Sequence, residues 1–157
     1  MTVQPHALPP VTRLPQRKSL PHGRPYHSES VYFITVCAAR RGINTLAVPE
    51  VAPLLWQAWC GYAERGICHP LLFVVMPDHT HGLFRFSVER EMATIVASWK
   101  RLTSRRHGVG WQRDFFDHRL RNEESFDEKA AYIRGNPQRA GLAPNASAWP
   151  YAWPELG

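Results

Sequence analysis

Two strand-like runs, residues 71–76 (LLFVVM) and His79–Phe86, are separated by only Pro77-Asp78. β-Branched and aromatic residues fill the first run, and proline followed by aspartate is turn chemistry. So short a connection forces the two runs to be antiparallel neighbours in a hairpin. Any fold for this chain must be built around that hairpin. A third run, 31–39 (VYFITVCAA), reads as another buried strand. Between it and the hairpin, Val51, Leu54, Leu55, Trp59 and Tyr62 recur at helical spacing between Pro49 and Arg65, with Gly66 as a stop. After the hairpin, Met92, Ile95, Val96, Trp99 and Leu102 make an apolar stripe on a helix from about Glu91 to His107, which Gly108 and Gly110 end. A fourth strand is expected over 115–121 and a third helix over 125–136. Ser125 and Glu128 have capping-box spacing there, and Pro137 closes the helix because the residue before proline avoids the α region. Strand, helix, strand, strand, helix, strand predicts an α+β, ferredoxin-like (split βαβ) fold. One antiparallel sheet would carry two helices on one face, with the third helix outside the basic unit.

A length of 157 residues is one ordinary domain with room for a modest tail. Apolar residues at 44% and charged residues at 20% suit a globular core. No apolar run nears the roughly 18 residues of a membrane helix, so no membrane association is expected. The first thirty residues lack an apolar segment of signal-peptide type, so secretion is not expected. Six of the 14 prolines fall in residues 1–30 with Arg13, Arg17, Lys18 and Arg24 against Glu29 alone. That segment reads as a basic, extended arm ahead of a domain over 31–142, with a tail over 143–157. Cys37, Cys60 and Cys68 form no CxxC pair, which argues against both a disulfide framework and a cysteine zinc site.

Three local patterns carry chemistry. His79 and His81 are two apart on a strand, so both imidazoles leave the same face and make part of a divalent-metal site. The same spacing also occurs in ordinary surface histidines. On the third helix, Phe126, Ala130 and Ile133 make the core stripe, while Tyr132 is turned about 100° from Ile133. Asn136, four residues on, shares the tyrosine's face. A tyrosine beside a carboxamide, presented toward two histidines, is a candidate nucleophile; the plainer reading is a packing tyrosine and a helix-capping asparagine. The third pattern is residues 100–121, where Lys100, Arg101, Arg105, Arg106, Arg113, Arg119 and Arg121 outnumber Asp114 and Asp117. Trp111 and Phe115 or Phe116 are interleaved and would suit base stacking; a solvated helix face is the alternative. The net charge of +6, with 16 of 19 cations arginine, favours phosphate contacts. Taken together, a metal held by His79 and His81, with Asn136 a candidate third ligand, would polarise a phosphodiester, and Tyr132 would attack phosphorus to give a covalent phosphotyrosine.

These motifs resemble a known family. PDHTHG resembles the HUH motif (His, bulky apolar, His) of single-strand DNA transposases, with Thr80 at the centre. WQRDFFDHRLR (111–121) followed by YIRGNPQRAGL (132–142) resembles the REP-associated tyrosine transposases, an insertion-sequence-200-like group. The likeness spans residues 32–142. It implies a ferredoxin-like catalytic domain, Mg²⁺ or Mn²⁺ as cofactor, and His79 and His81 as metal ligands. It also implies Tyr132 as nucleophile and Asn136 as third ligand. The product would be a 5′-phosphotyrosine with a free 3′-OH. The implied partner is single-stranded hairpin (REP-like) DNA; the basic stretch read above offers Lys100, Arg101, Arg105, Arg106, Arg113 and Arg121 as its contact set. The implied setting is a bacterial cytoplasm, at the nucleoid, with the protein a monomer or homodimer. The rival from another class is a non-catalytic nucleic-acid-binding module on the same fold. An HxH phosphoesterase would need a second, symmetric histidine motif, and His118 matches that poorly.

Overall fold

The computed structural model describes residues 29–121 and 125–155. Most of the basic arm lies outside the described residues. The strands are β1 (Tyr32–Cys37), β2 (Cys68–Val75), β3 (His79–Phe86), β4 (Phe116–Arg119) and β5 (Ala152–Trp153). The helices are α1 (Ala52–Glu64), α2 (Met92–His107), α3 (Phe126–Arg134) and the short α4 (Asn136–Arg139). The sheet order is β4-β1-β3-β2-β5, and every neighbouring pair is antiparallel. The first four strands with α1 and α2 are the expected split βαβ unit.

Strand alternation assigns each side chain to a face. Tyr32, Ile34 and Val36 of β1, Phe73 and Val75 of β2, and Phe84 and Phe86 of β3 point toward α1 and α2. There they meet Leu55 and Trp59 of α1 and Ile95, Val96 and Trp99 of α2. Trp59 stacks on Trp99 with centroids 4.8 Å apart and lies 4.6 Å from Phe84. The other face carries Phe33, Leu72, Val74, Met76 and Leu83, and Ile133 of α3 is buried against them. The helices therefore occupy both faces: α1 and α2 on one, α3 on the other.

Three local features differ from the sequence reading. Pro137 does not simply close a helix; it sits in the first turn of α4. A proline there loses no hydrogen bond that the start of a helix would use, so the ladder breaks and restarts at Asn136. Phe126 is 37% exposed and does not belong to the core stripe, which reduces to Ala130 and Ile133. The tail supplies a fifth strand on the β2 edge, where Val75 N–H donates to Tyr151 O at 2.8 Å. The Trp149 indole N–H donates to Val75 O at 3.0 Å. Elsewhere the signals hold. Gly108 ends α2 with φ +67, a left-handed conformation that glycine adopts without strain. Ser125 Oγ caps α3 by accepting from Glu128 N–H at 3.2 Å.

Gly82 sets the packing behind the histidine strand. A Cβ there would run into the Phe84 ring, whose Cζ would lie 2.7 Å away, and approach Leu72 O at 3.0 Å. Phe84 can lie over the sheet only because position 82 has no side chain. Gly82→Ala is expected to destabilise the fold by about 1–3 kcal/mol through overpacking. A thermal unfolding midpoint equal to that of the unmodified chain would contradict this.

Candidate active site

His79 and His81 leave the α3 face of β3, as period-two alternation requires. Thr80 between them points the other way and is buried, packed as a β-branched residue beneath the strand. The two imidazole Nε2 atoms face each other at 3.1 Å. Each ring's far nitrogen is held. His79 Nδ1 lies 2.8 Å from Asp78 Oδ1, and His81 Nδ1 lies 2.8 Å from Thr35 Oγ1. A carboxylate only accepts, so in this contact His79 Nδ1 carries the proton. Thr35 stands directly opposite His81 in the β1–β3 register, which is what brings the hydroxyl to that ring.

Asp78 is almost fully buried, yet its carboxylate is well furnished. Gly42 N–H donates to Oδ2 at 2.9 Å, and Arg41 Nε lies 3.5 Å from the same oxygen. Burial pushes the Asp78 pKa up. The hydrogen bonds from His79 and Gly42, with the charges of His79 and Arg41, outweigh burial and leave it below the usual carboxylate value. His81 moves the other way for an imidazole. Burial first, then the positive charges of His79, Lys129, Arg41 and Arg139, hold its pKa well below the ordinary value. At neutral pH the ring is therefore uncharged, the form that ligates metal.

Two metal-binding nitrogens each about 2.1 Å from one ion, at right angles, would be about 3.0 Å apart. The observed 3.1 Å between the two Nε2 atoms fits that spacing. Polar partners at the outward ring nitrogens, here a carboxylate and a hydroxyl, orient histidines as metal-bound ones are oriented. Among the described residues no cluster of three or more His, Cys, Asp or Glu is arranged to hold a metal. The two imidazoles would need an oxygen from elsewhere to complete a site.

Tyr132 projects from α3 on the same side of the sheet and is 56% exposed. It does not touch either histidine directly. The link runs through Phe33 and Lys129: the Phe33 ring lies 5.3 Å from His81, and Lys129 Nζ lies 4.5 Å over Phe33 and 5.5 Å from the Tyr132 ring. Asn136 is half-buried, and its Oδ1 accepts from Arg139 Nη2 at 2.6 Å. That oxygen must share or exchange this partner to reach a metal.

The basic stretch is placed differently from the site. Arg101, Arg105 and Arg106 are exposed on α2, which packs on the face opposite the histidines. Arg113 and Arg121 are exposed in the segments that flank β4. Lys100 is tied down, donating to Arg113 O at 2.7 Å, and burial lowers its pKa. Trp111 is not free to stack on bases. It packs 5.0 Å from Trp99 and donates to Thr103 Oγ1 at 2.8 Å. Phe115 packs against the α1–α2 core and Phe116 lies 6.0 Å from Phe33. The cysteines are free thiols, and burial, with the nearby Cys60, pushes Cys68 up to about 12.

With this geometry in hand, similarity to known proteins is informative. No family model matches the chain. A protein of Haemophilus influenzae (strain ATCC 51907 / DSM 11121 / KW20 / Rd), itself described as uncharacterized, is 26% identical over 152 residues. The match covers 71% of this chain and 82% of that protein. Among solved structures, a REP-associated tyrosine transposase bound to a REP hairpin superposes with a TM-score of 0.70 at 22% identity, over 85% of this chain and 82% of that one. The chain has the fold of that transposase. A transposase-like protein from Deinococcus radiodurans R1 superposes with a TM-score of 0.52 at 18% identity, over 77% of this chain and 98% of its own. No helix among the described residues is long and apolar enough to cross a membrane.

Sequence reasoning missed four residues here: Thr35, Asp78, Lys129 and Arg139. Asp78 was legible only as half of a turn, although an aspartate immediately before an HxH pair is a discoverable signal. If the histidine pair holds Mn²⁺, Asp78→Asn, which keeps shape but loses the carboxylate, is expected to weaken that binding about 10–100-fold by calorimetry. Unchanged affinity would remove the aspartate from any metal role. For His81, the unfolded ring titrates near 6.5. Between its lower folded pKa and that value, the unfolded chain binds more protons, so stability falls as pH drops below about 6.5. The unfolding midpoint in chelator should fall from about pH 7.5 to about pH 5.5, and His81→Gln should flatten that slope. Parallel curves would contradict the assignment.

Proposed function

We propose that this chain is a metal-dependent, single-stranded DNA endonuclease and strand transferase that uses Tyr132 as nucleophile on hairpin DNA. The carrying observation is the imidazole pair, with Nε2 atoms 3.1 Å apart and both Nδ1 atoms anchored, on the sheet face that also bears Tyr132. The fold shared with a transposase that binds a REP hairpin supports the same reading.

His79 and His81 would hold the ion, with Asn136 Oδ1 as third ligand once it leaves Arg139. Bound there, Mg²⁺ or Mn²⁺ supplies Lewis acidity toward a phosphodiester oxygen. Imidazole nitrogens suit Mg²⁺ poorly, which favours Mn²⁺ at this pair. Asp78 and Thr35 keep the two rings in register. Tyr132 attacks phosphorus: its oxygen forms a P–O bond, the bond to the 3′ oxygen breaks, and the phenol proton passes to water. The departing 3′ oxygen takes up a proton and becomes a free 3′-OH, while the 5′ side stays on tyrosine. Because one phosphodiester replaces another, the strand can be rejoined without an external energy source. The phenol is more than half exposed, so a DNA strand can reach it without unfolding the domain.

Incubation with hairpin-bearing single-stranded DNA and Mn²⁺ should yield a denaturation-resistant protein–DNA adduct. Tyr132→Phe should abolish the adduct, and His79→Ala should reduce it at least about a hundredfold, both with hairpin binding retained. Hairpin binding with no adduct from the unmodified chain would support the non-catalytic module instead.

A further inference from the structure

Two cations flank Tyr132 on the histidine face, and neither belongs to the basic stretch over 100–121. Arg139 lays its guanidinium over the Tyr132 ring, Cζ to centroid 4.1 Å. Its Nη2 donates to Tyr132 O at 2.5 Å and to Asn136 Oδ1 at 2.6 Å. Lys129, on the α3 turn before the tyrosine, sets its ammonium over Phe33 at 4.5 Å and beside Tyr132 at 5.5 Å. Phe33 in turn lies against His81. Neither cation has a carboxylate within ion-pair distance among the described residues. Two like charges are thus brought to one tyrosine with only ring faces and neutral carbonyls as partners. The Arg139 fork passes close over Gly135, where a Cβ would lie 2.7 Å from Nη1.

We propose that Lys129 and Arg139 form an anion subsite that seats the scissile phosphate of the DNA strand between Tyr132 and the histidine pair. The proposal rests on the strand-transfer reading above and adds the groups that hold the phosphate itself. A guanidinium presents a planar fork to two phosphate oxygens, and an ammonium adds a point charge. Phosphate is the chemistry that satisfies both, and it does so where the phenol oxygen must approach phosphorus. Arg139 also connects binding to assembly. When its fork turns to phosphate it releases Asn136 Oδ1, the oxygen the metal set lacks. In the free protein Arg139 occupies that oxygen; with the strand seated it no longer does.

The test uses the full chain and inorganic phosphate as probe, in chelator so that no metal mediates binding. Phosphate affinity, followed by NMR titration, should fall about tenfold in Lys129→Gln and in Arg139→Gln, the loss expected for one charged hydrogen bond. Arg139→Lys should recover part of it. Arg65→Gln removes a cation that also sits beside a tyrosine, Tyr62, at the far end of α1, and should leave phosphate binding unchanged. On hairpin DNA, the single-turnover rate of adduct formation should fall about tenfold in both glutamine variants, with hairpin affinity changed less than about threefold. Phosphate affinities within twofold of the unmodified chain in folded Lys129→Gln and Arg139→Gln would overturn the subsite, even where adduct forms normally. If phosphate binding follows the expected pattern but the unmodified chain forms no adduct, the subsite stands and the strand-transfer reading falls.

Discussion

Period-two alternation along β3 is the constraint on which everything else in this protein depends. One set, Thr80, Gly82, Phe84 and Phe86, belongs to the packed layer beneath α1 and α2. The other, His79, His81 and Leu83, faces α3. A slip of one residue would bury both imidazoles among tryptophans and turn Phe84 toward solvent or α3. Register is therefore held by aromatic core contacts, with Phe84 against Trp59 and Phe73. The site inherits its rigidity from a core it does not touch.

The polar groups on the α3 face show how such a site survives burial. Thr35, Asp78 and His81 are all buried, and each has a hydrogen-bonding partner. An unpaired carboxylate in that position would cost several kcal/mol. Asp78 escapes this because its carboxylate accepts from a backbone N–H and an imidazole and pairs with the Arg41 charge at 3.5 Å. The loop after β1 is thereby tied to the turn before β3, since Gly42, Arg41 and the N–H groups of Thr45 and Leu46 all bond to residues 77–78. Ligand orientation and loop conformation are one network.

Much of this was readable from residue order. β3 begins and ends where its alternation does, at His79 and Phe86, because the turn before it and the period-two pattern both mark the boundary. The helix stripes of α1 and α2 and the split βαβ order were legible for the same reason: each rests on a local period. What escaped depends on tertiary placement. β5 is two residues long, too short for any period, and exists only because the β2 edge receives it. Trp111 looked like a stacking platform because it lies among arginines, but chain folding brings it to Trp99 and Thr103. Arg139 carries no signal as one arginine among sixteen; its meaning comes from Gly135 and Tyr132 beside it. Phe126 failed as a core residue because α3 is buried at Ile133 and open to solvent in its first turn.

The C-terminal segment has a consequence beyond closing the sheet. Arg134, at the end of α3, donates to Pro154 O at 2.7 Å, while Trp149 wedges between both hydrophobic clusters and bonds to β2. The helix bearing the phenol is thus moored at its far end to the last residues of the chain, and through them to the central sheet. Any swing of that helix must drag its mooring or snap it. The closing stretch of polypeptide accordingly governs the reach of a side chain some twenty residues earlier.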